Sequence, residues 1–188
     1  MPVNIHLIPT PNPATLKYIV DRTLIPRGAM NFTSKETAQE KSPLAKRLME
    51  IRGVVGVLIG SNHVTVTKGD EGEWDELNDS VMAALDEHLE TNQPVVTQAA
   101  LDAQAAARAA GAGGPVEQKI RDILETEIRP GLMMDGGDVL FDRYEDGVVY
   151  LEMHGACSGC PSATMTLKFG IESRLRQAIP EVVEVVQV

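Results

Sequence analysis

Residues 155–162 read Gly-Ala-Cys-Ser-Gly-Cys-Pro-Ser, and they lie between a predicted strand and a predicted helix. The strand, Val148–His154, alternates apolar and polar side chains, as a strand with one buried face does. Downstream, apolar residues recur every fourth position from Leu167 to Ile179, which is typical of one face of a helix. Pro161 suits the first helical position, where a missing N–H costs no hydrogen bond. The stretch therefore predicts an α+β domain with both of its cysteines in a strand-to-helix turn.

The surrounding pattern extends this domain over residues 116–188 in the order α-β-β-α-β. Asp146-Gly147 is a strong hairpin signal between the two central strands. We predict that Gly136 and Gly137 supply positive φ angles in a turn that the side chains of Asp135 and Asp138 hold. The predicted elements are a helix from Val116 that ends at Arg129-Pro130, strands Val139–Tyr144 and Val148–His154, the helix after the cysteines, and a last strand Val182–Val188.

Upstream, residues 1–94 predict a second small α+β domain, and residues 95–115 predict a linker. The linker is rich in Ala and Gly and has few large apolar groups to hold it against a core, so we expect a flexible tether. The predicted elements of the first domain are strands Ile5–Ile8 and Leu16–Val20, a helix from Ser42-Pro43 through Ile51, a hairpin of Val54–Ile59 and His63–Lys68, and a helix Asp75–Glu90.

Charge and hydropathy exclude several classes of function. The net charge is −10, and the chain has no basic stripe that would follow a phosphate backbone, so we expect no nucleic-acid partner. No apolar run is long enough to cross a bilayer, and we expect no membrane partner. The first residues lack the pattern of a secretory signal, so we expect a cytoplasmic protein, although a processed mitochondrial chain would look the same.

The two cysteines, Cys157 and Cys160, form half of a ligand set. Iron–sulfur clusters and structural zinc sites usually take four thiolates, so a second copy of the chain is the simplest source of the others. A helix N-terminus favours anions, and we therefore expect it to stabilise both thiolates. The small residues around the cysteines allow backbone N–H groups to approach the sulfurs.

Other interpretations of the same residues stay open. A thiol–disulfide oxidoreductase also places Cys-x-x-Cys at a helix N-terminus, and a zinc ion bridging a dimer would use the same ligands. His154 is a weaker candidate for a third ligand, because strand alternation puts it on the solvent side with Glu152. Asp135 and Asp138 alone are too few for a divalent cation site.

The motifs resemble those of a known family. Residues 128–139 (Ile-Arg-Pro, then Met-Asp-Gly-Gly-Asp-Val), 155–162 and 166–172 resemble the NifU C-terminal (Nfu) domain over almost all of 116–188. Residues 10–13, 16–18, 42–48 and 53–68, with Trp74, resemble the Nfu N-terminal domain. Two departures leave the proposed ligands untouched: Ala163 stands where Ser is common, and His63 stands where an aromatic residue is common.

This resemblance implies an iron–sulfur cluster carrier and no enzyme, so we assign no catalytic residue. In that family a 4Fe–4S cluster, built of iron and sulfide, bridges two subunits through the cysteines that match Cys157 and Cys160. The implied partners are a second copy of the chain when the cluster is loaded, the assembly machinery that donates the cluster, and the apo-proteins that receive it.

Overall fold

A computed structural model describes residues 3–91, 93–110, 113–158 and 161–188, with side chains described outside 108–110 and 161–167. Two α+β domains follow each other along the chain, as the sequence predicts. Each domain has its own cluster of buried apolar side chains. The predicted domain limits, 1–94 and 116–188, stay predictions.

The first domain is an antiparallel sheet with helices packed on one face. Its strand order is β1-β2-β5-β4-β3, and every neighbouring pair is antiparallel. Helix α2 begins at Pro43, where the Ser42 hydroxyl accepts a hydrogen bond from the Ala45 N–H at 2.9 Å. The elements are β1 (Ile5–Pro9), β2 (Thr15–Val20), β3 (Met30–Phe32), α1 (Lys35–Lys41), α2 (Pro43–Met49), β4 (Val54–Ile59), β5 (His63–Lys68) and α3 (Trp74–Glu90).

Alternation along the strands divides the sheet into two faces. Tyr18, Val64 and Val66 point into the core, where the apolar stripe of α3 covers them. Lys17 and Thr65 face the opposite side, and they are partners in the β2–β5 ladder. At the centre of that opposite face the polar side chains of Lys17, His63 and Thr65 are buried, so something other than the helices must cover them.

The segment predicted as a tether contains a helix, α4 (Gln98–Ala110), and part of the segment is attached to the first domain. Val96 and Ala100 are buried in the first core. The Thr97 N–H donates to the Lys41 carbonyl at 2.8 Å, and the Gln104 side chain donates to the Ala29 carbonyl at 2.8 Å. The expectation of an unattached tether is therefore wrong for residues 96–104, because small side chains can be buried in the first core and backbone and amide hydrogen bonds hold the segment there.

The second domain contains α5 (Pro115–Ile123), α6 (Arg129–Met134), β6 (Gly137–Glu145), β7 (Val148–Gly155), α7 (Pro161–Ala178) and β8 (Glu184–Gln187). The sheet order is β6-β7-β8, with β6 and β7 antiparallel and β7 and β8 parallel. Ile171, Leu175 and Ile179 pack against this sheet, as their spacing predicts. The predicted order α-β-β-α-β is confirmed, with the first helix in two parts.

The first helix does not end at Arg129-Pro130, which corrects the sequence prediction. A π-helical segment, Leu124–Ile128, joins α5 to α6, and the Arg129 N–H donates to the carbonyl of Leu124, five residues back. A wider turn accommodates the ring of Pro130, which would otherwise clash with a carbonyl one turn earlier. The helix therefore continues to Met134 and ends beside the first domain.

Candidate metal-binding site

Cys157 lies in a tight turn directly after β7. The Cys157 N–H donates to the His154 carbonyl at 3.3 Å, and the Ser158 N–H and hydroxyl donate to the Gly155 carbonyl at 3.1 and 2.8 Å. Gly155 has a φ of +60°, a backbone conformation that favours glycine. These bonds set the turn that carries the thiol, and α7 begins at Pro161, where the sequence predicts a helix.

Two residues of β6 shape the space around the sulfur. Gly137 pairs with Gly155 as the first residue of β6, and a Cβ at position 137 would overlap Sγ of Cys157. The Asp138 N–H donates to the same sulfur. The missing side chain of Gly137 makes room for the sulfur itself, and a backbone hydrogen bond to that sulfur suits a thiolate that ligates metal.

The role of Gly137 differs from the predicted one. Of the two glycines, Gly136 has a positive φ of +79°, whereas Gly137 is extended in the ladder and is needed for its missing side chain. The carboxylate of Asp138 accepts from Arg129 and from the Val139 N–H, so its bonds lie on the strand side of the turn. Sequence reasoning found the glycine pair but could not separate these two roles.

Burial and nearby negative charge disfavour the thiolate form of Cys157. Burial, followed by the nearby carboxylates of Asp135 and Asp138, raises the pKa of Cys157 to about 12, against the smaller lowering effect of the Asp138 N–H. Its exposed fraction is 6%. The expectation of a stabilised thiolate is therefore wrong for Cys157 in the metal-free chain, because loss of hydration outweighs the hydrogen bond from the Asp138 N–H. Metal binding at this sulfur must displace a proton. For Cys160, which lies outside the described residues, the expectation of a stabilised thiolate stays a prediction.

Arg129 and Asp138 form a buried ion pair close to the cysteine turn. Nε and Nη2 of Arg129 donate to Oδ1 and Oδ2 of Asp138 at 2.7 and 2.6 Å, and Nη1 pairs with Glu125. Burial lowers the pKa of Arg129, but the bonds to Asp138 and then Glu125 outweigh it and leave that pKa raised. Arg129 thus neutralises a carboxylate next to the site. Sequence reasoning interpreted Arg129 as part of a helix end and missed this pair.

Other predicted candidates are placed as follows. Cys160 and its neighbour Gly159 lie outside the described residues, so a shared centre for both sulfurs stays a prediction. His154 lies beside Glu152, with Nε2 3.2 Å from Oε2, and it is the register partner of Asp138. Within the described ranges, no three His, Cys, Asp or Glu side chains are grouped to hold a metal ion.

Residues of the first domain also reach the cysteine turn. Nδ2 of Asn12 donates to the carbonyls of Ala156 and Ser158, at 3.2 and 2.9 Å. The sequence suggested only that Asn12 belongs to a turn-rich segment. No local signal could have revealed these bonds, because their partners are 144 and 146 positions apart in the sequence.

Among the described residues, no helix is both long enough and apolar enough to span a bilayer. The fold and the site together define a two-domain α+β protein that carries a thiol in a strand-to-helix turn.

Comparison with known proteins places the chain within this class. A family model described as "Scaffold protein Nfu/NifU N terminal" matches residues 5–92, and one described as "NifU-like domain" matches residues 120–186. The human protein "NFU1 iron-sulfur cluster scaffold homolog, mitochondrial" is 37% identical over 180 residues, which cover 95% of this chain and 69% of the relative. The chain therefore belongs to the Nfu (NifU-like) family, and the resemblance found in its motifs is confirmed.

A second relative and a solved structure are also similar. "NifU-like protein 4, mitochondrial" from Arabidopsis thaliana is 41% identical over 179 residues, covering 92% of this chain and 62% of that protein. The chain thus spans less than two thirds of the length of this plant relative. A solution NMR structure of a NifU-like protein from Saccharomyces cerevisiae has a TM-score of 0.47 at 19% identity, over 52% of this chain and 87% of that one.

Proposed function

We propose that this chain is an iron–sulfur cluster carrier. Two copies hold one 4Fe–4S cluster through Cys157 and Cys160 of each, and the cluster is cargo that passes to apo-proteins. The observation that carries the proposal is the surroundings of Cys157, in a chain of the Nfu family: a backbone N–H donates to its sulfur, and a glycine makes room for that sulfur. The name of the human relative, a cluster scaffold, supports the same function.

The charges near the turn fit a cargo that is held and then released. A 4Fe–4S core with four thiolates carries a charge of roughly 2−. Asp135 and Asp138 would repel it, and the pairing of Asp138 with Arg129 reduces that repulsion. Transfer proceeds by ligand exchange: an acceptor thiolate forms an iron–sulfur bond as a carrier cysteine leaves and takes up a proton.

Family membership favours a carrier over the two alternatives, a thiol–disulfide oxidoreductase and a dimer-bridging zinc site. The donor machinery and the client apo-proteins of this chain are proposals that rest on the scaffold role of the relatives. The cytoplasmic location stays a prediction, and the relatives named here are mitochondrial by name.

A transfer assay tests the proposal. The chain is loaded anaerobically and mixed with an apo-protein whose own site has four cysteines, in the presence of a chelator that captures free iron. We expect the acceptor to gain a 4Fe–4S spectrum and the carrier to lose it. Cys157→Ser and Cys160→Ser should abolish loading and transfer. Normal cluster content in either serine variant would refute the ligand assignment.

A further inference from the structure

The polar face of the first sheet is buried by the second domain. Lys17, His63 and Thr65 are 7%, 3% and 0% exposed. The turn at Gly136 lies against this face, since a Cβ there would be 3.0 Å from Oγ1 of Thr65. Gly155 lies against it as well, since a Cβ there would be 2.7 Å from the Leu58 side chain. The covered face therefore touches the start of β6 and the end of β7, which lie next to each other on either side of Cys157.

Lys17 binds the end of α6 across this contact. Its Nζ donates to the carbonyls of Met133 and Met134, at 2.7 and 3.1 Å. The last carbonyls of a helix lack partners within the helix, and they form the negative end of its dipole. A buried ammonium that donates to them satisfies both groups. This bond ties β2 of the first domain to the helix that leads into the cysteine site.

Asn12 provides a second tie, on the cysteine turn itself. Both of its amide hydrogens are used on the carbonyls of Ala156 and Ser158, the residues on either side of Cys157. Its own position is fixed, because Oδ1 accepts from the Ala14 N–H at 3.0 Å and its N–H donates to Oγ1 of Thr10 at 3.2 Å. Asn12 is 4% exposed, so no water competes for these bonds.

Both ties act on the segment that must accept the cargo. A cluster shared by two chains requires each cysteine turn to face a second copy, whereas here the turn faces the first domain of its own chain. The Asn12 bonds occupy the carbonyls on either side of Cys157, so a second copy of the chain cannot pack on that side of the turn while the first domain lies there. The two arrangements are therefore alternatives.

We propose that the first domain is an internal cover for the cysteine turn, latched by Asn12 and Lys17, and that the latch must open before two chains can share a cluster. The cover is supported by a set of contacts within one metal-free chain. Its effect on cluster loading depends on the proposed carrier function. In the latched form a second copy of the chain is excluded, and the cargo is accepted by the open fraction.

The sharpest variant is Asn12→Asp. It keeps the oxygen that accepts from the Ala14 N–H, so the local turn is retained, but it replaces both donors with a carboxylate that faces two carbonyl oxygens. Lys17→Met removes the second tie and keeps a long apolar side chain. Matched controls are Asn78→Ala and Lys68→Met, because those side chains bond to Tyr18 and Gly72 within the first domain.

The first measurement uses metal-free, full-length chain carrying Cys160→Ser, which leaves Cys157 as the single thiol. The rate of alkylation by iodoacetamide is followed by intact mass. We expect Asn12→Asp and Lys17→Met to react at least about tenfold faster than the parent, with both controls unchanged. Equal rates in all variants, with circular dichroism showing all of them folded, would overturn the cover.

The second measurement follows anaerobic cluster formation in the chain with both cysteines. We expect Asn12→Asp to load at least about threefold faster and to reach the same final iron content. Slower loading would overturn the cover and make Asn12 a residue that positions the turn for the cluster. If alkylation is accelerated but no variant takes up a cluster, the cover stands and the proposed carrier function fails.

Discussion

Gly137 is the residue whose side chain, if it had one, would most directly disturb the site. A methyl group there would overlap Sγ of Cys157, so Gly137→Ala must displace the cysteine turn or the start of β6. We expect cluster content after anaerobic reconstitution to fall at least about fivefold, because the ligand geometry of a cluster tolerates little displacement. Cluster content is measured by the absorbance of the loaded protein at roughly 400 nm.

Gly170→Ala is the matched control for that variant, since a Cβ at position 170 meets nothing within 4 Å. It should load normally and be slightly more stable, because Ala favours the helix interior. Equal cluster content in the two alanine variants would show that the cluster does not depend on the missing side chain of Gly137 next to the Cys157 sulfur.

His63 gives the free energy of unfolding a specific dependence on pH. Burial, followed by the charge of Lys17, lowers the pKa of His63 from 6.5 to about 4, and Asp138 opposes this in part. The unfolded chain therefore takes up a proton that the folded chain does not, and stability is lost as the pH falls from about 6.5 to about 4. For a pKa shift of this size, the free energy of unfolding falls by about 3 kcal/mol in total.

Urea titrations at pH about 7 and about 4.5 test this prediction. His63→Phe should lose less stability on acidification than the parent, by about 2 kcal/mol or more. His6→Gln, at an exposed position of β1, should lose as much free energy of unfolding on acidification as the parent does. An unchanged pH dependence in His63→Phe would contradict the assignment.

At the scale of elements, the bond between Arg129 and Asp138 ties α6 to β6. Arg129→Met leaves the carboxylate of Asp138 buried without its cation, at a side-chain exposure of 1%. Breaking a buried pair from one side costs about 3–5 kcal/mol, so we expect a large fall in the denaturation midpoint. Arg174→Met breaks an ion pair with Glu127 whose side chains are 37% and 42% exposed, and it should lower the denaturation midpoint far less, because solvent screens an exposed pair. Similar losses in both variants would contradict this account.

Helix α4 should be protected where it touches the first domain. Ala100→Asp places a charge in the first core and should release the helix, so that amides of residues 98–104 exchange faster with deuterium. Ala103→Asp, at an exposed position of the same helix, should leave exchange unchanged. Fast exchange in the parent chain would show that α4 is not attached.

Regular elements were predictable where the periodicity is strong. The β4–β5 hairpin and α7 match their patterns. Strand β3 and helix α1 were missed, since β3 has three residues and α1 buries only Ala38. Pro130 was interpreted as a helix end because local rules treat proline as a stop, whereas a π-helical turn accommodates it.

Of the candidate site, only the features that depend on neighbouring residues in the sequence were predictable. The position of Cys157 after a strand depends on nearby residues, so the sequence predicts it. The high pKa of Cys157, the pairing of Arg129 with Asp138 and the bonds from Asn12 depend on burial and on contacts distant in sequence. Local patterns carry no information about them.

At the scale of the whole molecule, the two domains have different tasks in this account. The second presents the cysteines, and the first controls access to them through a buried polar face. A polar interface suits contacts that must open, because its groups can be hydrated again when the domains separate. We therefore expect cluster loading to require separation of the two domains.

The most direct test of the central claim is the stoichiometry and mass of the reconstituted chain. Anaerobic loading with iron and sulfide is followed by iron and sulfide analysis and native mass spectrometry. The account predicts about two irons and about two sulfides per chain, in a particle of two chains. One metal per two chains without sulfide would indicate zinc chemistry, and stoichiometric iron in a single chain would contradict the shared site.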